Sequence, residues 1–323
     1  MPPRSTSSRT ALIRNLARVL KLLVPLVIAY FVGKVIHANW EQVRTAEWQF
    51  SPLHLIGSFV LCSGWFLFRP LGWNVILNRF GRDVPYGAVY RVYRQSELSR
   101  YVPGAVWQFV SRIYLIKRWH VTASACMAAT IVDLVLATLA CLIPASWTLL
   151  DAFPGMQGYH QALLIGFPVA SVAVVHPTIF NAWAGFLANR LRQPWTPLQI
   201  RWPMLLGIWL MYVVGWVMLC AGVAMFARGI LSLGSVGPML LGSSYAVAWL
   251  IGTLTMIAPA GMGVREGAMG LMLSRFMAEG PAFTLAVGVR FWVLLVELCW
   301  VGLGALFPQP EPPETPDGEA EGA

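Results

Sequence analysis

Long apolar runs separated by short polar stretches set the pattern of this chain. Runs of the length needed to cross a hydrocarbon core, about 20 residues, fall at roughly 19–37, 52–78, 121–143, 161–182, 203–227, 237–257 and 281–306. The second holds Arg69, the third Asp133, and the last Arg290 and Glu297, while the fourth and fifth hold no charge. The pattern predicts an all-α polytopic membrane protein with seven crossings. Two stretches depart from it. Residues 84–119 are amphipathic and arginine-rich, with Pro103-Gly104 in the middle. Residues 258–280 hold Pro259, Gly261, Gly263, Arg265 and Glu266 ahead of the apolar piece Gly267–Ser274, which at eight residues is too short to span as a helix. Both are expected to form broken or re-entrant helical hairpins. An eighth crossing built from 264–280 is the alternative.

Composition narrows the class further. Hydrophobic residues make up 57% of the 323 and charged ones 11%, where an ordinary soluble protein has about 25% charged. Mean hydropathy is +0.63. A disordered chain and a soluble enzyme are thereby set aside. Basic residues number 23, of which 20 are Arg, against 14 acids; five of those acids lie in the last 16 residues, so the body carries +14. These charges flank apolar runs, so the expected partner is an anionic bilayer face or an anionic lipid headgroup, not nucleic acid. The 15 Trp suit membrane interfaces.

The Lys/Arg bias places residues 1–21, the 79–118 region and the 183–202 linker in the cytoplasm, since the 144–160 loop has no Lys or Arg. The first run reads as an uncleaved helix, because it is long enough to span and no small-x-small cleavage site follows Ile36. The organisation is therefore a basic cytoplasmic N-terminus (1–18), a transmembrane domain (19–306) and an acidic, proline-rich tail (307–323) expected to be disordered. The five cysteines sit in apolar runs without a CxxC, and the five histidines form no cluster. No metal site, cofactor or catalytic constellation is expected.

The two breaks carry the candidate chemistry. Pro103 lacks an N–H and crowds the preceding turn, so a helix should end near residue 101. Gly104 lets the chain turn, and a new helix should start near Ala105. Its first N–H groups have no internal partner and favour an anion. Arg100 and Arg112 flank that point with planar forks suited to oxyanions. The competing reading makes both arginines topology markers, the role given to Arg91 and Arg94. At the second break, Arg265 and Glu266 either fix the hairpin as an ion pair or touch substrate. Pro103 and Pro259 lie 156 residues apart, near half the chain, as interrupted segments do in repeat-built transporters.

Arg290 and Glu297 are separated by about 10 Å along a helix axis. They are expected to find partners on other helices, Glu266 with Arg290 among them, because an unpaired charge there is expensive. Asp133 reads as a proton site or as the partner of a neighbouring Arg. Arg69 is expected to snorkel to the inner interface. Trp107, Trp119, Trp202 and Trp249 are expected in interface or core packing rather than as platforms for substrate.

The string Arg-Tyr-Val-Pro-Gly-Ala-Val-Trp at 100–107 with Ser111-Arg112, and Pro-Ala-Gly-Met-Gly-Val-Arg-Glu-Gly at 259–267, resemble the two hallmark motifs of the lysylphosphatidylglycerol synthase transmembrane-region family. The similarity runs over roughly 15–306. It implies a flippase-like domain of the bacterial inner membrane, related to the membrane half of the multiple peptide resistance factor, which moves aminoacylated phosphatidylglycerol between leaflets. Together with the physical reading, it makes a candidate headgroup site of Arg100, Tyr101, Pro103, Gly104, Trp107, Gln108, Arg112, Pro259, Gly261, Gly263, Arg265 and Glu266. Asp133, Arg290 and Glu297 are the intramembrane charge partners. The full synthase continues into a soluble aminoacyl-transferase domain, whereas this sequence stops after the last run and its tail. Lysyl transfer, and enzymatic activity generally, are therefore not expected. The cargo is an anionic phospholipid or a polyprenyl- or hopanoid-type lipid. The alternative is an integral-membrane enzyme or non-catalytic subunit in envelope lipid or glycan synthesis. Homo-oligomerisation and an envelope-biosynthesis partner stay open.

Overall fold

The computed structural model describes residues 34, 37, 38, 40–80, 83–102, 106–152, 159–190, 200–234, 236–254 and 261–306. Most of the 19–37 run, Pro103, Gly104, Pro259 and the 307–323 tail lie outside the described residues. The described residues form eleven helices: α1 (Trp40–Thr45), α2 (Pro52–Leu77), α3 (Tyr86–Leu98), α4 (Trp107–Ile116), α5 (Ala123–Ala152), α6 (His160–Val175), α7 (Pro177–Arg190), α8 (Trp202–Ile230), α9 (Pro238–Leu254), α10 (Val264–Leu273) and α11 (Glu279–Leu306). Among them α2, α5, α8 and α11 are long and apolar enough to cross a membrane. The chain is an all-α polytopic membrane protein.

The polarity of the bundle follows from that setting. Leu53, Ile56, Val60, Leu67 and Leu71 of α2 point outward, as do Phe291, Leu295 and Leu298 of α11. Arg69, Arg94, Arg112, Asp133 and Glu297 are buried. Lipid tolerates an apolar exterior that water would not, whereas charge must be gathered where it can be paired.

Helix α2 runs antiparallel to α8, and small residues bring their backbones together. Ser58 Oγ donates to the Gly222 carbonyl at 2.7 Å, and a Cβ on Gly222 would meet Cys62 Sγ at 2.6 Å. Close approach of this kind is how helices associate without a hydrophobic driving force between them. Helix α11 runs parallel to α2, tied by the Trp292 and Trp300 indole N–H groups, which donate to Ser58 and Ser63 Oγ at 2.8 Å each.

Four of the remaining helices pair into hairpins. α3 and α4 fold back on each other, so that Glu97 meets Gln108 and Ser96 meets Arg112. This hairpin enters from the end of the bundle where α2 terminates: Asn78 Oδ1 accepts from the Val84 N–H at 3.1 Å, and Tyr90 Oη donates to the Trp300 carbonyl at 3.0 Å. α9 and α10 form a second hairpin from the opposite end. The Ser232 N–H donates to the Glu47 carbonyl at 3.0 Å, and the Gly280 N–H to Gln42 Oε1 at 2.8 Å. Residues before α9 and after α10 therefore sit together beside α1.

Two of the apolar runs behave differently from the sequence expectation. The 237–257 run was expected to cross, but its helix is 17 residues and is one arm of the second hairpin. The 161–182 run divides at His176, whose ψ of 128° is extended, because the following Pro177 disfavours the helical region for the residue before it. The His176 ring lies 5.5 Å from Trp202 at the start of α8, so α6 alone reaches that end.

Candidate functional site

The tips of the two hairpins meet across a cavity of about 150 Å³. The first hairpin contributes Arg94, Glu97, Arg100 and Gln108, and the second contributes Trp249, Thr253, Gly261 and Arg265. Trp65, Phe66 and Arg69 of α2, Leu134 of α5 and Arg290 of α11 also line it.

Around the cavity the charges sort into pairs. Arg69 makes a two-point contact with Asp133, at 3.2 and 2.5 Å. Tyr212 and Tyr93 Oη also donate to Asp133, at 2.5 and 3.2 Å. Arg100 bridges Glu97 at 2.7 Å and Glu297 at 2.5 Å, and Tyr101 Oη donates to the same Glu297 oxygen at 2.9 Å. Arg112 reaches Glu97 at 2.9 Å while its guanidinium lies over the rings of Tyr93 and Trp73, 4.0 and 4.9 Å away. Arg290 faces Glu266 at 3.4 Å. Each buried carboxylate thus has its guanidinium, as burial of charge requires.

Six arginines face four carboxylates, and two of the six are left over. Arg94, 2% exposed, makes no hydrogen bond or ion pair among the described residues. It rests on the faces of Tyr93 and Phe66, at 5.2 and 5.3 Å. Arg265, 8% exposed, pairs with no carboxylate among the described residues. It donates to Thr253 Oγ1 at 3.3 Å and lies over Trp249 at 5.7 Å. Ring faces attract a cation without cancelling its charge, and Glu97 and Glu297 act on Arg94 through space without pairing with it, so six arginines against four carboxylates leave the site with net positive charge.

Backbone geometry seats Arg265. Gly261 and Gly263 have φ of 67° and 82°, where side chains are strained. A Cβ on Gly261 would lie 2.8 Å from Arg265 Nε, and one on Gly252 would overlap Arg265 Cγ. The Glu266 carboxylate accepts from the Gly263 N–H at 2.6 Å and so caps the start of α10.

A family model described as the lysylphosphatidylglycerol synthase TM region matches residues 18–300. The chain belongs to this family. No curated protein matches the chain.

Of the candidate residues in this synthase-type membrane region, Arg100, Gln108, Gly261 and Arg265 line the cavity. Tyr101, Gly263, Glu266 and Glu297 stand behind it as supports, and Asp133 holds Arg69. Three placements differ from expectation. Arg112 turns away from the cavity into the pair with Glu97 and is 1% exposed. Trp107 is 43% exposed and faces outward. Arg69 does not snorkel: it is buried against Asp133, because a two-point partner at that depth competes well with a distant interface. Pro103, Gly104 and Pro259 lie outside the described residues.

Sequence reasoning missed Arg94 and Trp249 as cavity residues. The signal for Arg94 was present: it lies one turn from both Tyr90 and Glu97 on the same face of α3. Trp249 carried no such signal, since its role depends on Arg265 arriving from the other arm.

Proposed function

We propose that this protein carries a lipid with an anionic headgroup from one leaflet to the other. The reading is supported above all by one observation: two hairpins entering from opposite ends meet at a cavity whose guanidinium groups outnumber its carboxylates. Interrupted helices meeting at a charged site inside an apolar bundle are the arrangement of repeat-built transporters. The headgroup enters the cavity and the acyl chains stay in the bilayer. Membership of a lipid-synthase membrane-region family fits a lipid cargo. No catalytic step is assigned to the site.

Orientation in the bacterial inner membrane follows the Lys/Arg bias. Arg79, Lys117, Arg118 and Arg201 mark the end where α2 terminates as cytoplasmic, with the N-terminus on that side. At the other end, Glu41, Glu47 and Glu279 offset Arg44, Arg228 and Arg275. On this reading α3–α4 is re-entrant from the cytoplasm and α9–α10 from the outside.

The test is leaflet transfer in reconstituted vesicles. Headgroup-exposed fluorescent phosphatidylglycerol is placed in one leaflet, and its protection from a membrane-impermeant quencher is followed. Wild type should accelerate transfer, and Arg265→Gln should lower the rate at least about tenfold, the effect of losing one charge-assisted contact. Equal rates for protein-free vesicles and wild type with fluorescent phosphatidylglycerol and with fluorescent phosphatidic acid alike, or for wild type and a well-folded Arg265→Gln, overturn the reading. A new lipid or glycan product in place of transfer would favour an enzyme or enzyme subunit.

A further inference from the structure

We propose that the cavity selects a doubly charged phosphate headgroup, a phosphomonoester or diphosphate, over a singly charged phosphodiester. The inference rests on the lipid-carrier reading and adds the chemical class of the headgroup.

The charge pairing carries it. Asp133, Glu266, Glu297 and Glu97 are matched by Arg69, Arg290, Arg100 and Arg112. Arg94 and Arg265 remain, one from each hairpin, lining the same cavity. Among the described residues Arg94 Nε and Arg265 Nε are buried without a hydrogen-bond partner, as are Arg100 Nε and Arg112 Nη1, but only Arg94 and Arg265 also have no ion pair. A buried charge without a counter-ion is costly. A phosphodiester brings one negative charge and leaves one of these two groups bare. A phosphomonoester brings close to two at neutral pH, its second pKa being about 6, with three terminal oxygens to share between two forks. Neutralisation is then complete without disturbing any of the four existing pairs. The arginine forks suit this partner, since a guanidinium binds phosphate in two-point fashion.

Full-length protein in neutral detergent micelles is titrated calorimetrically with dioctanoyl phosphatidic acid, dioctanoyl phosphatidylglycerol and inorganic phosphate. Near pH 8 the monoester lipid should bind at least about tenfold tighter than the diester. The preference should shrink as pH falls through about 6, because the monoester takes up its second proton. Arg94→Gln and Arg265→Gln should each abolish the preference, whereas Arg94→Lys keeps it. Arg228→Gln, exposed at the far end of α8, should bind like wild type. Equal affinity for the two lipids, or a preference that survives in both glutamine variants when they elute and melt like wild type, overturns the proposal. Where a glutamine variant fails to fold, the wild-type preference and its pH dependence decide. Inorganic phosphate binding as tightly as phosphatidic acid would uphold the dianion selection and overturn the lipid-carrier reading beneath it. Transfer of phosphatidylglycerol with no monoester preference would do the reverse.

Discussion

The two hairpins reach the same cavity by different physical means. The first is held by charge: Glu97 on α3 ties together Arg100 in the turn, Arg112 on α4 and the Gln108 amide. The second is held by shape: glycines at 252, 261 and 263 clear the space into which Arg265 folds, and two of them adopt a backbone that other residues avoid. The first therefore fails when a charge is removed, and the second when an atom is added. The proposed carrier role needs both, because each contributes one guanidinium without a direct ion pair among the described residues.

The contrast is broken most sharply at Glu97. Glu97→Gln strips a partner from Arg112, 1% exposed, and from Arg100, so thermal unfolding in detergent should show a loss of about 3–5 kcal/mol. Next comes Gly252→Ala, whose new Cβ overlaps Arg265 Cγ. Overpacking should cost about 1–3 kcal/mol, and calorimetry should show phosphatidic acid binding reduced as far as in Arg265→Gln. Gly261→Ala, at φ of 67°, should cost about 1–2 kcal/mol in the same melts. Glu266→Gln should be mildest, about 1 kcal/mol, because the amide keeps a carbonyl for the Gly263 N–H and the Arg290 contact is long at 3.4 Å. A Glu97→Gln protein that melts like wild type beside a collapsed Gly261→Ala would invert the division.

The legible part of this molecule was local. Apolar runs located α2, α5, α8 and α11, because a helix in lipid declares itself by composition over about 20 residues. The breaks at 103–104 and 259–263 fall in sequence between the arms of the two hairpins, and Arg100 and Arg265, beside them in sequence, both line the cavity. What could not be read was whatever depended on a partner far along the chain. The Arg69–Asp133 pair joins residues 64 apart, and neither residue announces the other. The run at 237–257 looked like a crossing because apolarity measures the solvent, not the direction of return. Arg94 reads as a topology marker because it shares α3 with a second arginine and a glutamine, Arg91 half-buried and Gln95 exposed, and only the fold closes α2 and α11 over it.

Helix α11 has a consequence for how the tips relate. It carries Arg290 to Glu266 of one hairpin and Glu297 to Arg100 of the other, two anchor points of opposite sign roughly 10 Å apart along a single rod. Sliding the rod by that interval would set like against like, Arg290 beside Arg100. The charge order along α11 therefore favours the observed register, and both hairpin tips are tied to the same stiff element.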